Sequence, residues 1–261
     1  MDDGRIVERF RTARHDPELV VLEGFHALKH AARFGAEILE VAVRDPENAA
    51  RLARELAPDA ARLVTAAARV EPDVFARLAP RPHPTGVVAL ARRPAVSLER
   101  LLDAPGPAPI VLLEDARRAE NVGAVVRVAA AAGAAGVVAL GGADPWAPAA
   151  VRGAAGLHFA LPVARAALAD VLGGDEGARG AGGRPLVALD PEGAPLGQGT
   201  IPPRALIAFG TERAGLSREL LARADQRIAI TMRAGVSSLN LATAVAVALY
   251  SRRIGAAGEA E

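Results

Sequence analysis

Arg127 is the only ionisable side chain between Glu120 and Asp144, set inside NVGAVVRVAAAAG (121–133), a run of valine, alanine and glycine. It follows Gly123 by four residues, so on a helix it stands one turn above it, and long helical side chains lean back toward the N-terminus. Its guanidinium is then directed to the helix start, where Asn121 and free backbone N–H groups lie. Such a pairing suits an anion, or an oxygen on which negative charge develops. A structural arginine paired with Glu114 or Asp115 fits the same residues equally well. A second candidate is GTERAG (210–215), where Glu212 stands at the middle glycine of a dinucleotide fingerprint, G-x-G-x-x-G. That glycine lets a pyrophosphate approach the backbone. A carboxylate there repels phosphate and favours a neutral or cationic group, with Gly210 and Gly215 letting the chain close around it. The alternative is a solvated glutamate complementing a helix dipole. The third candidate is SSLN (237–240), in which Ser237 and Ser238 are natural N-caps for a helix beginning near Leu239, apolar on nearly every side through Leu249. Asn240, in its first turn, is an amide that caps the helix or reaches into a site.

Regular elements must hold these groups. PIVLLED reads as a buried strand leading into the helix ENVGAVVRVAAAAG; AGVVALGG, RPLVALD and RALIAFG read as further strands, and Ile228–Ile230 as another. Alternation of this kind favours a largely parallel sheet covered on both faces, with its ligand crevice at the carboxyl ends of the strands. Upstream, strands are expected at Leu19–Glu23, Ile38–Val43 and Gly86–Ala91, and helices near Phe25–Phe34, Pro46–Leu56 and Glu71–Leu78. Prolines and a glycine interrupt the pattern between Pro94 and Pro109. The expected organisation is an α/β unit at 1–95, a linker at 96–108 and a second α/β unit at 109–261. GGDEGARGAGG (173–183) reads as a surface loop.

The 261 residues are 51% hydrophobic and carry a net charge of +1, with 16 basic and 16 acidic residues through position 108 and 15 and 14 beyond it. No basic tail announces nucleic acid. Cysteine is absent, which excludes disulfides and thiolate metal sites and fits a reducing compartment. The first 15 residues carry no apolar leader core and the longest apolar run falls far short of a membrane span, so a cytoplasmic protein with no membrane partner is expected. His26 and His30 share i, i+4 spacing, but with no third ligand beside them no metal is expected. Trp146 and Tyr250 read as packing residues.

Taken in order, the three candidates spell N-x-G-x-x-x-R, G-x-E-x-x-G and S-L-N. This arrangement resembles the three motifs of the SpoU/TrmH family of RNA ribose 2′-O-methyltransferases, within the SPOUT superfamily. DPWAPAAVRGAAG (144–156) is similar to a segment the family carries between motifs, and the likeness runs from Pro109 to the C-terminal helix. LVVLEGFHALKHA and TGVVALARR look like the family's smaller substrate-binding domain, which resembles a ribosomal protein fold. Two departures stand out: Ile230, Thr231 and Met232 replace the usual I-P-M, and Ala154 stands where a serine is common.

The resemblance implies a C-terminal domain with a parallel sheet and a deep trefoil knot, S-adenosylmethionine as cofactor, and ribosomal or transfer RNA as substrate. Carried over, Gly210, Gly215, Ile230, Met232 and Leu239 line the cofactor pocket. Arg127 orients and stabilises the attacking oxygen, Asn121 positions the ribose or phosphate, and Glu212, Ser238 and Asn240 complete the catalytic pocket. A homodimer through the C-terminal helices is implied. Arg5, Arg9, Arg11, Arg14, Arg92 and Arg93 are candidates for RNA phosphate contacts. A silent RNA-binding protein of the same fold is the alternative, and a nicotinamide dehydrogenase is disfavoured by Glu212.

Overall fold

A computed structural model describes residues 3–79, 81, 83–173, 181–211, 214–236 and 238–257. The chain divides into two compact units, one of residues 1–95 with 154–160, the other of 96–153 with 161–261.

In the first unit the order is α1 (Asp3–Ala13), β1 (Leu19–Glu23), α2 (Phe25–Arg33), β2 (Ile38–Val43), α3 (Pro46–Leu56), α4 (Ala61–Thr65), β3 (Ala68–Arg69), α5 (Pro72–Leu78) and β4 (Val87–Arg92). The strands form one sheet in the order β1-β4-β2-β3; β4 is antiparallel to both neighbours and β2 runs parallel to β3. Helix α1 buries Ile6, Val7, Phe10 and Ala13, a stripe at helical spacing that joins Val74, Phe75 and Leu78 of α5 over the sheet. Helix α3 begins at Asp45, whose carboxylate accepts from Asn48 N–H, with Pro46 at the first helical position. His30 Nδ1 lies 2.8 Å from the Ala155 carbonyl, so this histidine is engaged with backbone.

Four of the six arginines expected to meet RNA phosphates already hold carboxylates. Arg9 pairs with Glu40 at 2.8 Å, Arg11 with Glu8 at 2.6 Å, Arg14 with Glu23 at 2.8 Å and Arg92 with Glu37 at 2.9 Å. Arg14 also donates to the Leu78 carbonyl, and its side chain is largely buried. The even charge balance of the sequence is thus local as well as global, and Arg14 is a packing residue.

The second unit runs α6 (Leu98–Leu102), β5 (Ile110–Glu114), α7 (Ala119–Ala132), β6 (Gly136–Leu140), α8 (Pro148–Gly153), β7 (Val163–Ala166), α9 (Leu168–Leu172), β8 (Leu186–Pro195), β9 (Leu206–Phe209), α10 (Arg218–Arg223), β10 (Gln226–Ala229) and α11 (Leu241–Ala257). Its six strands form a sheet in the order β10-β8-β9-β5-β6-β7, every pairing parallel. The strands β5, β6 and β9 are apolar almost throughout because both faces are covered, as parallel sheets require. Helix α7 packs on α8 and α11. Gly123 makes the first of these contacts possible: a Cβ there would stand 2.1 Å from the Ala150 carbonyl oxygen. The stretch 96–108, expected as a linker, contains α6, whose Leu101 and Leu102 are buried in the core of this unit. Residues 174–180 of the expected glycine-rich loop lie outside the described residues.

A side chain with no sequence signal organises the entry to this sheet. Arg184 is fully buried, and its guanidinium donates to the carbonyls of Leu102, Ala104, Ala108 and Arg204 at 2.6 to 3.1 Å. Burial, with the neighbouring Arg204 charge, lowers its pKa from the ordinary arginine value. Arg204 Nη1 also donates to Ala104, at 2.7 Å. Replacing Arg184 by alanine removes this donor from the Leu102, Ala108 and Arg204 carbonyls, while Ala104 keeps Arg204, and each acceptor left unsatisfied costs about 1–3 kcal/mol. Arg184→Ala is expected to lower the unfolding free energy by about 3 kcal/mol or more, read by urea denaturation. A loss below about 1 kcal/mol would show that water replaces the guanidinium without penalty.

Candidate functional site

Strands β5 and β9 are neighbours in register, Leu113 beside Phe209, so Glu114 and Gly210 follow side by side at the carboxyl edge of the sheet. The chain after β9 folds into a closed loop. Thr211 and Gly215 exchange two backbone hydrogen bonds, of 3.1 and 3.0 Å, and Thr211 Oγ1 accepts from Ala214 N–H at 3.0 Å. Gly210 is pressed against this closure: a Cβ at that position would lie 2.0 Å from the Gly215 carbonyl carbon. Downstream, Ser217 caps α10 through Leu220 N–H and donates its own N–H to Glu114 Oε2 at 2.7 Å, fastening the loop to the end of β5. Glu212 lies outside the described residues, as does Ser237.

A cavity of about 350 Å³ opens at this edge. Gly210, Gly215, Ile230, Met232, Ser238 and Leu239 all line it, together with Leu189, Asp190 and Pro191 from β8 and Leu241 from α11. Three segments far apart in sequence therefore share one wall. Among the described lining residues Asp190 is the only ionisable one, and none is a cation. The Asp190 carboxylate is held by Arg227 of β10, whose Nε donates to Oδ2 at 2.6 Å; this bond holds the Arg227 pKa above the ordinary arginine value.

A second cavity, of about 340 Å³, is lined by Asp115, Ala116, Arg117, Arg118 and Asn121, and by Thr211, Ala214 and Leu241. The last three residues line both cavities, so the two adjoin at Thr211, Ala214 and the start of α11. Asp115 takes a left-handed φ of 48° there and pairs with Arg117 at 2.8 Å. Thr211, Arg118 and Asp190 carried no recognisable pattern: their positions follow from loop closure and strand adjacency, which no local spacing encodes.

Arg127 and Asn240 sit elsewhere. Arg127 is exposed on α7 and lines neither cavity. The structural partners expected for it are engaged differently, Glu114 with Ser217 and Asp115 with Arg117. Among the described residues no ion pair to Arg127 is found. Asn240 is the cap of α11: its Oδ1 accepts from Ala242 N–H at 2.9 Å and Thr243 N–H at 3.4 Å, and its carbonyl accepts from Ala244 N–H. The helix thus begins at Leu241, two residues later than expected, and the cap is Asn240 where Ser237 and Ser238 were expected. Trp146 is buried, with Nε1 donating to the Val163 carbonyl at 3.2 Å, while Tyr250, expected to pack, is 40% exposed on α11. Val247 on the same helix is also exposed.

Comparison with known proteins gives a consistent pattern. Residues 108–250 match the model of the SpoU rRNA Methylase family. The chain is 32% identical over 191 residues to the 23S rRNA (uridine(2479)-2'-O)-methyltransferase of Streptomyces viridochromogenes, covering 69% of this chain and 64% of that protein. It is thus similar to somewhat less than two thirds of that relative's length. To the 23S rRNA (adenosine(1067)-2'-O)-methyltransferase of Streptomyces laurentii it is 30% identical, over 95% of this chain and 90% of that one. Among solved structures, an RNA 2'-O ribose methyltransferase superposes with a TM-score of 0.75 at 29% identity, covering 98% of this chain and 96% of that one. The SpoU methyltransferase AviRb of Streptomyces viridochromogenes, solved in complex with AdoMet, also superposes with a TM-score of 0.75, at 26% identity and over 94% and 96% of the two chains.

Proposed function

Because the chain belongs to the SpoU rRNA methylase family, we propose that it transfers a methyl group from S-adenosylmethionine to a ribose 2′-hydroxyl of structured RNA, ribosomal or transfer. The observation that carries this reading is the 350 Å³ cavity itself: apolar walls, a closed glycine loop, and no cation among its described lining residues. A pyrophosphate-bearing nucleotide calls for cationic or open backbone donors. A sulfonium-bearing adenosyl group calls for the reverse, and the cavity fits it. The AdoMet complex of AviRb and the rRNA 2'-O-methyltransferase relatives support the same cofactor and substrate class.

Bound there, S-adenosylmethionine would supply an electrophilic methyl carbon on sulfur. The chain's own part is to hold the ribose oxygen in line with it and to stabilise charge on that oxygen. The adjoining second cavity, with Asn121 and Arg118, receives the ribose and its phosphate. Gly210, Gly215, Ile230, Met232 and Leu239 hold the cofactor, and Ser238 stands on the same wall. Arg127 is the electrostatic stabiliser of the attacking oxygen. A guanidinium keeps its proton throughout the neutral range, so the 2′-proton passes to Glu212 or to a phosphate of the RNA. Asn240 acts through the α11 cap that sets the position of Leu239 and Ser238.

The finer architecture follows the same reading. The C-terminal segment after β9 forms the trefoil knot of the family, and the first unit is its ribosomal-protein-like RNA-binding domain. The protein is a homodimer joined through α11, whose exposed Val247 and Tyr250 are covered by the partner. Its substrates place it in the cytoplasm. No described helix is long and apolar enough to cross a membrane.

Incubating the protein with methyl-labelled S-adenosylmethionine and bulk ribosomal or transfer RNA tests the activity. Label is expected in alkali-resistant dinucleotides, because a 2′-O-methyl group blocks backbone hydrolysis. Tight cofactor binding with no transfer to either RNA would instead support the silent RNA-binding protein.

A further inference from the structure

The wall of the cofactor cavity contributed by β8 is a break in the sheet. Gln226 and Arg227 of β10 pair with Val187 and Ala188, but the next residue, Ile228, pairs with Ala194. Residues 189–193 therefore leave the β10 ladder as a bulge, and Leu189, Asp190 and Pro191 of that bulge line the cavity. Bulged residues lose their ladder hydrogen bonds, so something else must fix their conformation. Here it is Arg227, the last residue of β10 before the break. Its Nε and Nη2 both donate to Asp190 Oδ2, the first at 2.6 Å, and Nη2 also reaches Glu192 Oε2 at 3.3 Å. Glu192 N–H in turn donates to Asp190 Oδ1 at 3.3 Å. The Asp190 side chain is 12% exposed and its carboxylate is occupied on both oxygens, so it holds the bulge and is not left open to a ligand.

We infer that Arg227 is a positioning residue for cofactor binding, clamping the 189–193 bulge through Asp190 so that this wall of the cavity is formed before the cofactor arrives. The inference rests on the cofactor reading above. The mechanism is preorganisation: without the clamp only a fraction of molecules carry the binding-competent wall, and the apparent dissociation constant rises in inverse proportion to that fraction. Arg227 touches no cavity surface itself, so its effect reaches the cofactor only through Asp190 and the bulge. The planar fork that spans two carboxylates is particular to arginine.

Isothermal calorimetry with S-adenosylmethionine alone tests this on the full chain. Arg227→Gln and Asp190→Asn are each expected to weaken binding about fivefold to tenfold, and the double variant no further than either single one, because both remove the same clamp. Arg227→Lys restores part of the affinity. The KM for the cofactor is expected to rise with the dissociation constant, without a proportional fall in kcat. A lowered melting temperature with unaltered affinity in both single variants would reduce the pair to a stabilising contact and overturn the inference. If the unsubstituted protein fails to take up S-adenosylmethionine at all, the cofactor reading falls and the clamp falls with it; binding that is unchanged by the substitutions sinks the clamp alone.

Discussion

Arg127→Ala is expected to reduce methyl transfer by roughly 10³-fold while leaving the calorimetric affinity for S-adenosylmethionine within twofold of the unsubstituted protein. The size follows from what removal of a single group that stabilises charge on a reacting oxygen costs, about 10²–10³ in kcat, with further loss when that group also orients the nucleophile. The unchanged affinity follows from geometry, since Arg127 lines neither cavity. Its position has a second consequence. Asn121 and Arg127 are six residues apart on α7, which sets them about 120° apart around the helix and about 9 Å apart along it. One faces the second cavity and the other faces solvent. If the exposed guanidinium serves the partner's cavity in the proposed dimer, each site is completed in trans. Mixing Arg127→Ala with an otherwise intact variant that cannot hold cofactor is expected to restore about a quarter of the activity per dimer, as random association of two defective chains predicts when the defects lie in different halves of a shared site. No recovery on mixing, with dimers present by ultracentrifugation, would return Arg127 to its own protomer's site. Weakened cofactor binding with residual turnover would remove it from the chemistry.

Strands β1 and β2 and helix α3 fall at the boundaries their patterns predict, because each carries a local signal: β-branched runs, or Asp45-Pro46 at a helix start. Helix α1 is weakly marked in the sequence although Ile6, Phe10 and Ala13 repeat at helical spacing, since the charged residues between them dilute the apolar signal. The cap of α11 is Asn240 and not Ser238: both residues are good caps, and only the direction of the chain entering the helix selects between them. The bulge at 189–193 was illegible for a different reason. It exists because β10 pairs with β8 in two registers, a relation between segments some 35 residues apart that no window of either contains. Arg184 belongs to the same class: its four carbonyl partners come from two separated segments, 102–108 and Arg204, and a lone arginine beside a glycine loop gives no hint of burial. By contrast Gly210, Gly215, Ile230, Met232, Ser238 and Leu239 were named from motif order and line one cavity, because a fixed order of motifs carries long-range information that composition and periodicity do not.

Gly210→Ala is expected to weaken S-adenosylmethionine binding more than a hundredfold, whereas Gly215→Ala weakens it about thirtyfold at most. Both are the same substitution in the same loop, and the difference lies in what a methyl group meets. At Gly210 the added Cβ would lie 2.0 Å from the Gly215 carbonyl carbon, 2.1 Å from its oxygen and 2.3 Å from Leu216 N, all backbone atoms that cannot swing aside. Relief requires parting Gly210 from Gly215, which opens the two Thr211–Gly215 hydrogen bonds and the Thr211 Oγ1 contact that together close the loop. Thr211 and Ala214 line both cavities, so opening the loop deforms the two at once. At Gly215 a Cβ meets nothing within 4 Å, and the cost is confined to its left-handed φ of 67°, about 1–2 kcal/mol for an L-residue. A hundredfold loss corresponds to about 2.7 kcal/mol, beyond what dihedral strain of this kind supplies. Far-UV circular dichroism of Gly210→Ala should remain that of the folded protein, because the loop lies at the sheet edge and β9 keeps both its neighbours. Equal affinity losses in the two variants would mean that chain flexibility matters at this loop and that the packing of Gly210 against Gly215 does not.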